Sequence, residues 1–587
     1  MTAVQGMTRR RGVGVVGLAL LAVLGTGCGL PLQDGVRRPG DVPAEQRLPQ
    51  PINVLPPGPQ PGATPEDVVQ GFLAAQSSAR DQHGIARSFL LPAARPAWRA
   101  DAGVTVYDPR TAAVGRPQPD ADGVTVALSI DVLGTVGPDG AARVQPPQPR
   151  TQRYRLRQDG GQWRLSGVPE GLTLSPAGRD RSYDPVSVYF LAPLAGTAVR
   201  RHLVADLVAL PTGQDRAQQV VDRLLAGPSS GLADSGQSAV PAGARLRSGV
   251  VTSAAGEVTV DLGLPPGPLS GTSRADLSAQ LVWTLKDALP DFTRLRLLVD
   301  GTPLQVPGVP VPQPRNAWES YVPDGPDDSP GLALVDGRVR PVRTAEEDDE
   351  PLELAQVAGA VDLAVDARTA RLAVLTSDGA TTTLRSGPLA GPLAQGVQDP
   401  GLRSPTWGSG DLGVFLLRTG PRPAVLLVPA AGGAPVELQV EGLPALDGDA
   451  VLRVSRDGAR VALVADGVLQ VGRLQLGGRV PRLVALRRLA TGVLDVAWRT
   501  GTTLEVLVQD DEPPLLPLLH LSVDGTSASS SGLVGVAEGT PRGIAADGDQ
   551  PMLVETRAPG RSTVYSGDGS TGFQVQLAGA TRPAYAR

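Results

Sequence analysis

The sequence predicts a multidomain protein in which two small α+β domains are followed by an all-β propeller of about five blades. Three observations carry that expectation. The chain has 587 residues, whereas single hydrophobic cores stop growing at about 250–300 residues. Between residues 64 and 302, helical periodicity comes before and between alternating strand patterns, the order of α+β folds. From residue 331 onward helical periodicity disappears, and a strand–turn–strand unit recurs roughly every 40–50 residues, the length of one propeller blade.

The N-terminus begins with Arg9-Arg10-Arg11 and an apolar run from Val13 to Leu24. A basic stretch, an apolar stretch and then small residues form a secretory signal. A dozen apolar residues are too few for a bilayer crossing, which takes about 20. Met7 is an alternative start, because it leaves Thr8-Arg9-Arg10-Arg11 as a compact basic region. Leu24-Gly25-Thr26-Gly27-Cys28 resembles the bacterial lipobox, in which the cysteine becomes the lipid-carrying N-terminus. Gly25 departs from that pattern, which usually has leucine three residues before the cysteine. Cys28 is the only cysteine, so an intrachain disulfide is impossible. The expectation is a signal peptide at 1–27 and lipidation at Cys28; the alternative is a chance cysteine in an ordinary signal. Residues 28–63 hold nine prolines, from Pro31 to Pro61. Proline fixes φ and removes a donor, so this stretch is either an extended tether or a disordered leader.

Composition narrows the function class. A hydrophobic content of 41% suffices for several cores, and with aromatics at 3% those cores must rest on Val, Leu and Ala. A net charge of −5 argues against a nucleic-acid surface. Lys286 is the only lysine, so arginine carries nearly all the positive charge.

The first α+β domain is expected over 64–178. Thr64 suits an N-cap, Pro65 the first helical position and Asp67 the positive helix end. Val68, Val69, Phe72 and Leu73 form the apolar stripe. A second short helix is expected over Ile85–Leu91, and strands at Val104–Tyr107, Val124–Leu133, Arg153–Leu156 and Trp163–Leu165. The second domain, 185–310, reads β-β-α-β-β-α-β. It begins at Val186–Leu191 and Leu203-Val204, continues with a helix from Gln214 to Ala226, and closes with a helix over Arg274–Leu289 capped by Ser273 and a strand over Leu295–Val299. Residues 311–330, rich in Pro, Asp and Gly around Trp318 and Tyr321, form a linker that packs locally. Five segments then align over 331–587. They begin at Leu363, Ser404, Leu452, Leu494 and Arg542, and each leads through a turn into a second strand. Leu332–Val335 and Phe573–Leu577 are expected to share a blade and close the ring. A β-sandwich is the alternative.

Motifs that carry chemistry fail their context tests. His83, His202 and His520 are far apart, while a zinc site usually brings at least one closely spaced pair. Gly408-Ser409-Gly410-Asp411-Leu412-Gly413 matches G-x-G-x-x-G but leads into a strand, where the dinucleotide motif must open a helix. Asp447-Gly448-Asp449 and Gly567-Asp568-Gly569-Ser570 lack the distal glutamate of an EF-hand and read as turns. The acidic run Glu346–Glu350 reads as a solvated loop. No catalytic residue, cofactor site or metal site is assigned.

The order of these segments resembles the actinobacterial lipoprotein LpqB family. The residues that carry the resemblance are Pro65–Leu73, Gly161-Gln162-Trp163-Arg164-Leu165, Val188-Tyr189-Phe190-Leu191, Leu224-Leu225-Ala226-Gly227-Pro228 and Leu298–Leu304. The resemblance implies a cystatin-like cone for the first domain, a GerMN domain for the second and a propeller for the third. It also implies a lipid anchor on the extracytoplasmic face of the cell membrane. The implied role is a non-enzymatic one beside the MtrA–MtrB two-component system, with the sensor kinase's extracytoplasmic domain as partner, in envelope homeostasis and division. The GerMN-like domain is the first choice for the contact surface, to be tested at exposed positions of the helix Arg216–Ala226 such as Arg223; the alternative is that Arg223 is merely a solvated helix residue. The alternatives are a ligand sensor or envelope hydrolase using the propeller's mouth, and a scaffold for cell-wall enzymes. A cluster of carboxylates at the mouth favours the former; a mixed mouth does not.

Overall fold

The computed structural model describes residues 56–585 apart from 194–201, 214, 268, 324–329, 343–352, 367–369, 410–411, 447–448, 477–479, 510–516, 534, 537–538 and 569–571. Cys28, the signal segment and the acidic run Glu346–Glu350 lie outside the described residues. Residues 55–587 form one compact unit.

The first domain opens on helix α1, Pro65–Ala75. Its N-terminus closes reciprocally, because the Asp67 amide donates to Thr64 Oγ1 at 3.2 Å while the Thr64 amide donates to Asp67 Oδ2 at 3.0 Å. Val68, Val69 and Phe72 are buried against the sheet, with the Phe72 ring edge-on to Trp98 at 5.3 Å and to Tyr154 at 6.2 Å. Helix α2 spans Arg80–Ser88, but Asp81, Gln82 and His83 have left-handed φ of 49°, 53° and 61°. The right-handed turns therefore start at Gly84, next to the expected Ile85. The sheet runs Gln162–Gly167, Ala142–Asp159, Gly123–Val136, Val104–Tyr107 and Leu172–Leu174, the last pair parallel. Helix α3, Pro176–Ser182, ends the domain.

The second domain starts with an antiparallel ribbon, Tyr183–Leu191 against Leu203–Pro211. Helix α4, Arg216–Leu225, buries Val220, Val221 and Leu224 beside helix α5, Gly271–Ala288. The cap of α5 is Ser270, whose Oγ accepts from the Ser273 amide at 3.0 Å, so the helix begins three residues earlier than the Ser273 cap predicts. Glu257–Gly263 pairs in parallel with Arg294–Val299, as two strands joined by a crossover helix must. Trp318 is buried in this domain's core, its Nε1 donating to Gln313 Oε1 at 2.9 Å. The stretch around it thus belongs physically to the second domain.

The rest is a propeller, as expected, with six sheets among the described residues where about five blades are expected. Blade 1 is Ala360–Asp366 and the three strands to Asp399; blade 2 runs from Leu402–Trp407 to Val436–Glu437. Blade 3 comprises Val451–Val454, Arg460–Ala465, Val468–Gln475 and Arg482–Thr491, with Gln439–Val440 added at its edge. Blade 4 runs from Val493–Trp498 to Ala528–Gly532, and blade 5 from Thr540–Ala545 to Gly572–Ala578. Blade 6 joins the two ends of the region: Ala580–Tyr585 is innermost, followed by Gly331–Val335 and Arg338–Val342. The six innermost strands contact one another in a closed cycle. Closure by the first strand occurs as expected, but its partner is Ala580–Tyr585. The expected partner, Phe573–Leu577, lies in the outer strand of blade 5. Ala-Thr-Arg-Pro-Ala-Tyr has little apolar alternation and a proline without a donor, so it does not read as a strand.

Both small domains rest on one face of this ring. The Arg460 guanidinium donates to Ala205 O at 2.6 Å, His202 Nε2 lies 3.0 Å from Asp457 O, and Ser235 Oγ donates to Leu474 O at 2.7 Å. From the first domain, Arg179 Nη2 donates to Thr526 O at 3.0 Å.

Deleting residues 580–587 should strip the inner strand from blade 6 and expose Leu332, Ala333 and Leu334, which are at most 3% exposed. The expected result is a large fall in melting temperature and loss of a single cooperative transition by circular dichroism. An unchanged transition would contradict closure through this strand.

Candidate functional site

The innermost strands of a propeller bring their first residues to one rim of the channel. Here that rim opens into a cavity of about 1220 Å³. It is lined by the loops between second and third strands and by the connections between blades, on the face opposite the two small domains. Five carboxylates line it, from Asp362, Asp449, Asp466, Asp495 and Glu555. Five arginines face them: Arg403, Arg453, Arg542, Arg557 and Arg582. The mouth is mixed, not a carboxylate cluster.

Most of these acids are held by backbone or arginine. Bulges in the inner strands, at Ala360/Asp362, Arg403/Thr406 and Val493/Asp495, turn polar side chains across the gap to the next blade. Asp362 accepts from its neighbour Leu363 N at 2.9 Å and from Ser404 N of blade 2 at 3.2 Å. Ser404 Oγ accepts from Leu452 N of blade 3 at 2.8 Å. Asp495 accepts from Val496 N at 2.9 Å and from Ile544 N of blade 5 at 3.0 Å, and it pairs with Arg453 at 3.4 Å. Glu555 accepts from Arg582 N at 2.7 Å and from Arg557 Nε at 2.8 Å. Gly543 permits this crowding: a Cβ there would lie 3.3 Å from Glu555 Oε2 and 3.5 Å from Asp495 Oδ2. Asp362, with help from Asp495 and Glu555, holds the Arg582 guanidinium above its ordinary pKa. On the other side of each inner strand, Trp407 Nε1 donates to Ala364 O at 3.1 Å and Trp498 Nε1 to Arg453 O at 2.9 Å, each reaching back one blade.

The other sequence candidates fall elsewhere. The three histidines lie in separate places: His83 against Trp98, with ring centroids 6.1 Å apart, His202 at the propeller contact, and His520 in blade 4. Among the described residues no group of three or more His, Cys, Asp or Glu is placed to hold a metal ion. Gly408 N donates to Gly413 O at 2.8 Å ahead of strand Gly413–Arg418, as the turn reading requires. Arg223 corrects an expectation. It is half-buried, and its Nη2 donates to Gly227 O beside the helix end, so Asp222 is the one exposed residue of α4. The helix ends there at Gly227, which has a left-handed φ of 83°. One array was not visible in the sequence: His520 Nδ1 lies 2.5 Å from buried Glu505 Oε2, and Ser531 Oγ lies 3.4 Å from His520 Nε2. It has the order of acid, base and hydroxyl, but Arg499 already holds the other Glu505 oxygen. These residues do not line the mouth cavity.

Comparisons with known proteins cover most of the chain. Residues 58–178 match the family model described as lipoprotein LpqB, N-terminal domain. Residues 187–305 match sporulation and spore germination, and 342–562 match the lipoprotein LpqB beta-propeller domain. The chain is similar to lipoprotein LpqB of Thermobifida fusca, 28% identical with 89% of this chain and 91% of that protein covered. It is likewise similar to lipoprotein LpqB of Mycolicibacterium smegmatis, 28% identical with 89% and 90% covered. Among solved structures, TolB from Acinetobacter baumannii is similar over 45% of this chain and 67% of that chain, at 12% identity and a TM-score of 0.34.

If Asp495 ties blades 4 and 5 together, Asp495→Ala leaves two buried N–H groups and Arg453 without their acceptor. The expected loss is about 3 kcal/mol by denaturant unfolding, since each unsatisfied buried group costs about 1–3 kcal/mol. Asp449→Ala, an exposed acid of the same mouth, should stay within about 0.5 kcal/mol of the parent. Equal effects of the two would show that charge in the mouth, not the link between blades, sets stability.

Proposed function

The chain belongs to the LpqB lipoprotein family, and from that premise we propose that it is a lipid-anchored extracytoplasmic protein that acts by binding a membrane sensor kinase. Cys28 carries the anchor in this reading, and the prolines after it space the folded unit from the bilayer. The kinase's extracytoplasmic domain, of the MtrB kind, is the partner. The role is modulation of signalling in envelope homeostasis and division, without catalysis.

One observation carries the reading: both small domains dock on one face of the propeller, leaving the charged mouth as the polar surface presented on the other. Its acids are largely committed to strands or arginines, while Arg542 is exposed and has no salt bridge among the described residues. A rigid ring with fixed charges of both signs suits recognition, because complementary charge sets specificity and encounter rate. With α4 largely covered, the mouth replaces that helix as the proposed contact. The size of the mouth favours a second reading, a ligand sensor, since small-molecule pockets run to about 1,000 Å³.

Two measurements test the proposal. Cys28→Ala should release the protein from the membrane fraction or leave it unprocessed, with no lipid in its mass; membrane fractionation equal to the parent would refute anchoring there. Arg542→Glu should weaken binding of the purified protein to the kinase ectodomain about tenfold while stability shifts by no more than about 0.5 kcal/mol. Unchanged affinity would move the contact away from the mouth.

A further inference from the structure

The three domains meet at a second cavity, of about 100 Å³, that plays no part in the mouth. The first domain contributes Arg143, the second Asp206 and Ser230, and the propeller Arg460, Arg473 and Arg487. The charges there do not balance within the protein. Asp206 is fully buried and already accepts from Ser229 N at 2.6 Å and Ser229 Oγ at 2.7 Å. Asp524, the other acid of the wall, accepts from Ser522 Oγ at 2.6 Å and Thr526 N at 3.0 Å. Arg460 is satisfied by Asp457, Gly501 O and Ala205 O.

Arg473 and Arg487 differ. Arg473 Nη1 is sealed from solvent with no hydrogen-bond partner among the described residues. Arg487 and Arg143 form no salt bridge among the described residues. Loss of water pulls the guanidinium pKa of Arg473 and Arg487 below its ordinary value, and Arg143 and Arg460 push in the same direction, while Asp234 and Asp206 oppose the shift at Arg473 and Asp524 opposes it at Arg487. Arg473 and Arg487 are half-buried and Arg143 is exposed at the rim; like charges from separate domains around one cavity repel one another unless an anion enters it, because a partly desolvated, unpaired charge is costly.

We propose that this junction is a binding site for a single phosphate-type oxyanion, held by Arg473, Arg487 and Arg143 and clamping the three domains together. Guanidinium groups match such an anion with paired, charge-assisted hydrogen bonds. The space, of about 100 Å³, is large enough to admit one tetrahedral oxyanion. The anion is either free phosphate or the phosphate end of a small ester.

The purified full chain, titrated with inorganic phosphate at constant ionic strength, should show a saturable rise in melting temperature that chloride does not produce. Glycerol phosphate, run in parallel, tells a free ion from an ester end: a response to either supports the site, and a response to neither overturns it. Arg487→Ala should melt at or above the parent without phosphate, because it relieves repulsion, yet lose about tenfold in phosphate affinity by equilibrium dialysis. A variant with the parent's affinity, or a parent whose response follows ionic strength alone, overturns the proposal. Arg482→Ala, an exposed arginine on the same strand that does not line the cavity, serves as the control and should bind as the parent does.

Discussion

Ala580–Tyr585 is the innermost strand of its blade, and until it lies against Gly331–Val335 the ring has two open edges. An open propeller exposes unpaired strand edges and the apolar flanks of blades 1 and 5, the hazard that closure removes. Tyr585 fastens the strand further, its hydroxyl donating to Pro551 O of blade 5 at 2.5 Å. Once the ring is closed, the polar side chains on the inner strands find their acceptor and donor partners one blade away. The mouth and the platform for the small domains both follow from that closure.

The inner strands do two jobs with the same residues. Asp362, Ser404 and Asp495 point across bulges to the next blade, and Trp407 and Trp498 reach back to the previous one. These links are short-range and directional, so they set the spacing of blades while apolar packing supplies most of the burial energy. They also leave the mouth with alternating charges at fixed positions. On the opposite face the turn Ser455–Arg460 is built by its own side chains, with Ser455 Oγ donating to Asp457 Oδ1 at 2.5 Å and Arg460 N donating to Ser455 Oγ at 2.9 Å. That turn offers Arg460 to the second domain, and buried Arg456 pairs with Asp547 of blade 5.

The local signals were legible in the sequence. Thr64, Pro65 and the Val68–Phe72 stripe define α1 because capping and periodicity act within a few residues. The five inner strands that begin the recurring unit were visible for the same reason. Blade 6 was not, since its strands come from opposite ends of the propeller and Ala580–Tyr585 carries weak alternation. The residues of the mouth lay within the aligned segments, yet their roles depend on bulges and on the neighbouring blade, which no local pattern encodes. The arginines of the three-domain junction were hidden for a stronger reason: Arg143 lies hundreds of residues before Arg473 and Arg487, in a chain where arginine carries nearly every positive charge. The exposure of Arg223 was misjudged because helical position alone did not reveal that its guanidinium folds back onto Gly227 O.

The central claim is that the mouth of the propeller is the surface that meets a membrane sensor. The most direct measurement places a photoreactive residue at Arg542, and in a second strain at exposed Val251 on the second domain, and identifies what each captures in the native envelope. The account predicts a sensor-kinase adduct from position 542 and little or none from position 251. Capture of the kinase from position 251 alone, or of no protein from position 542, would contradict it.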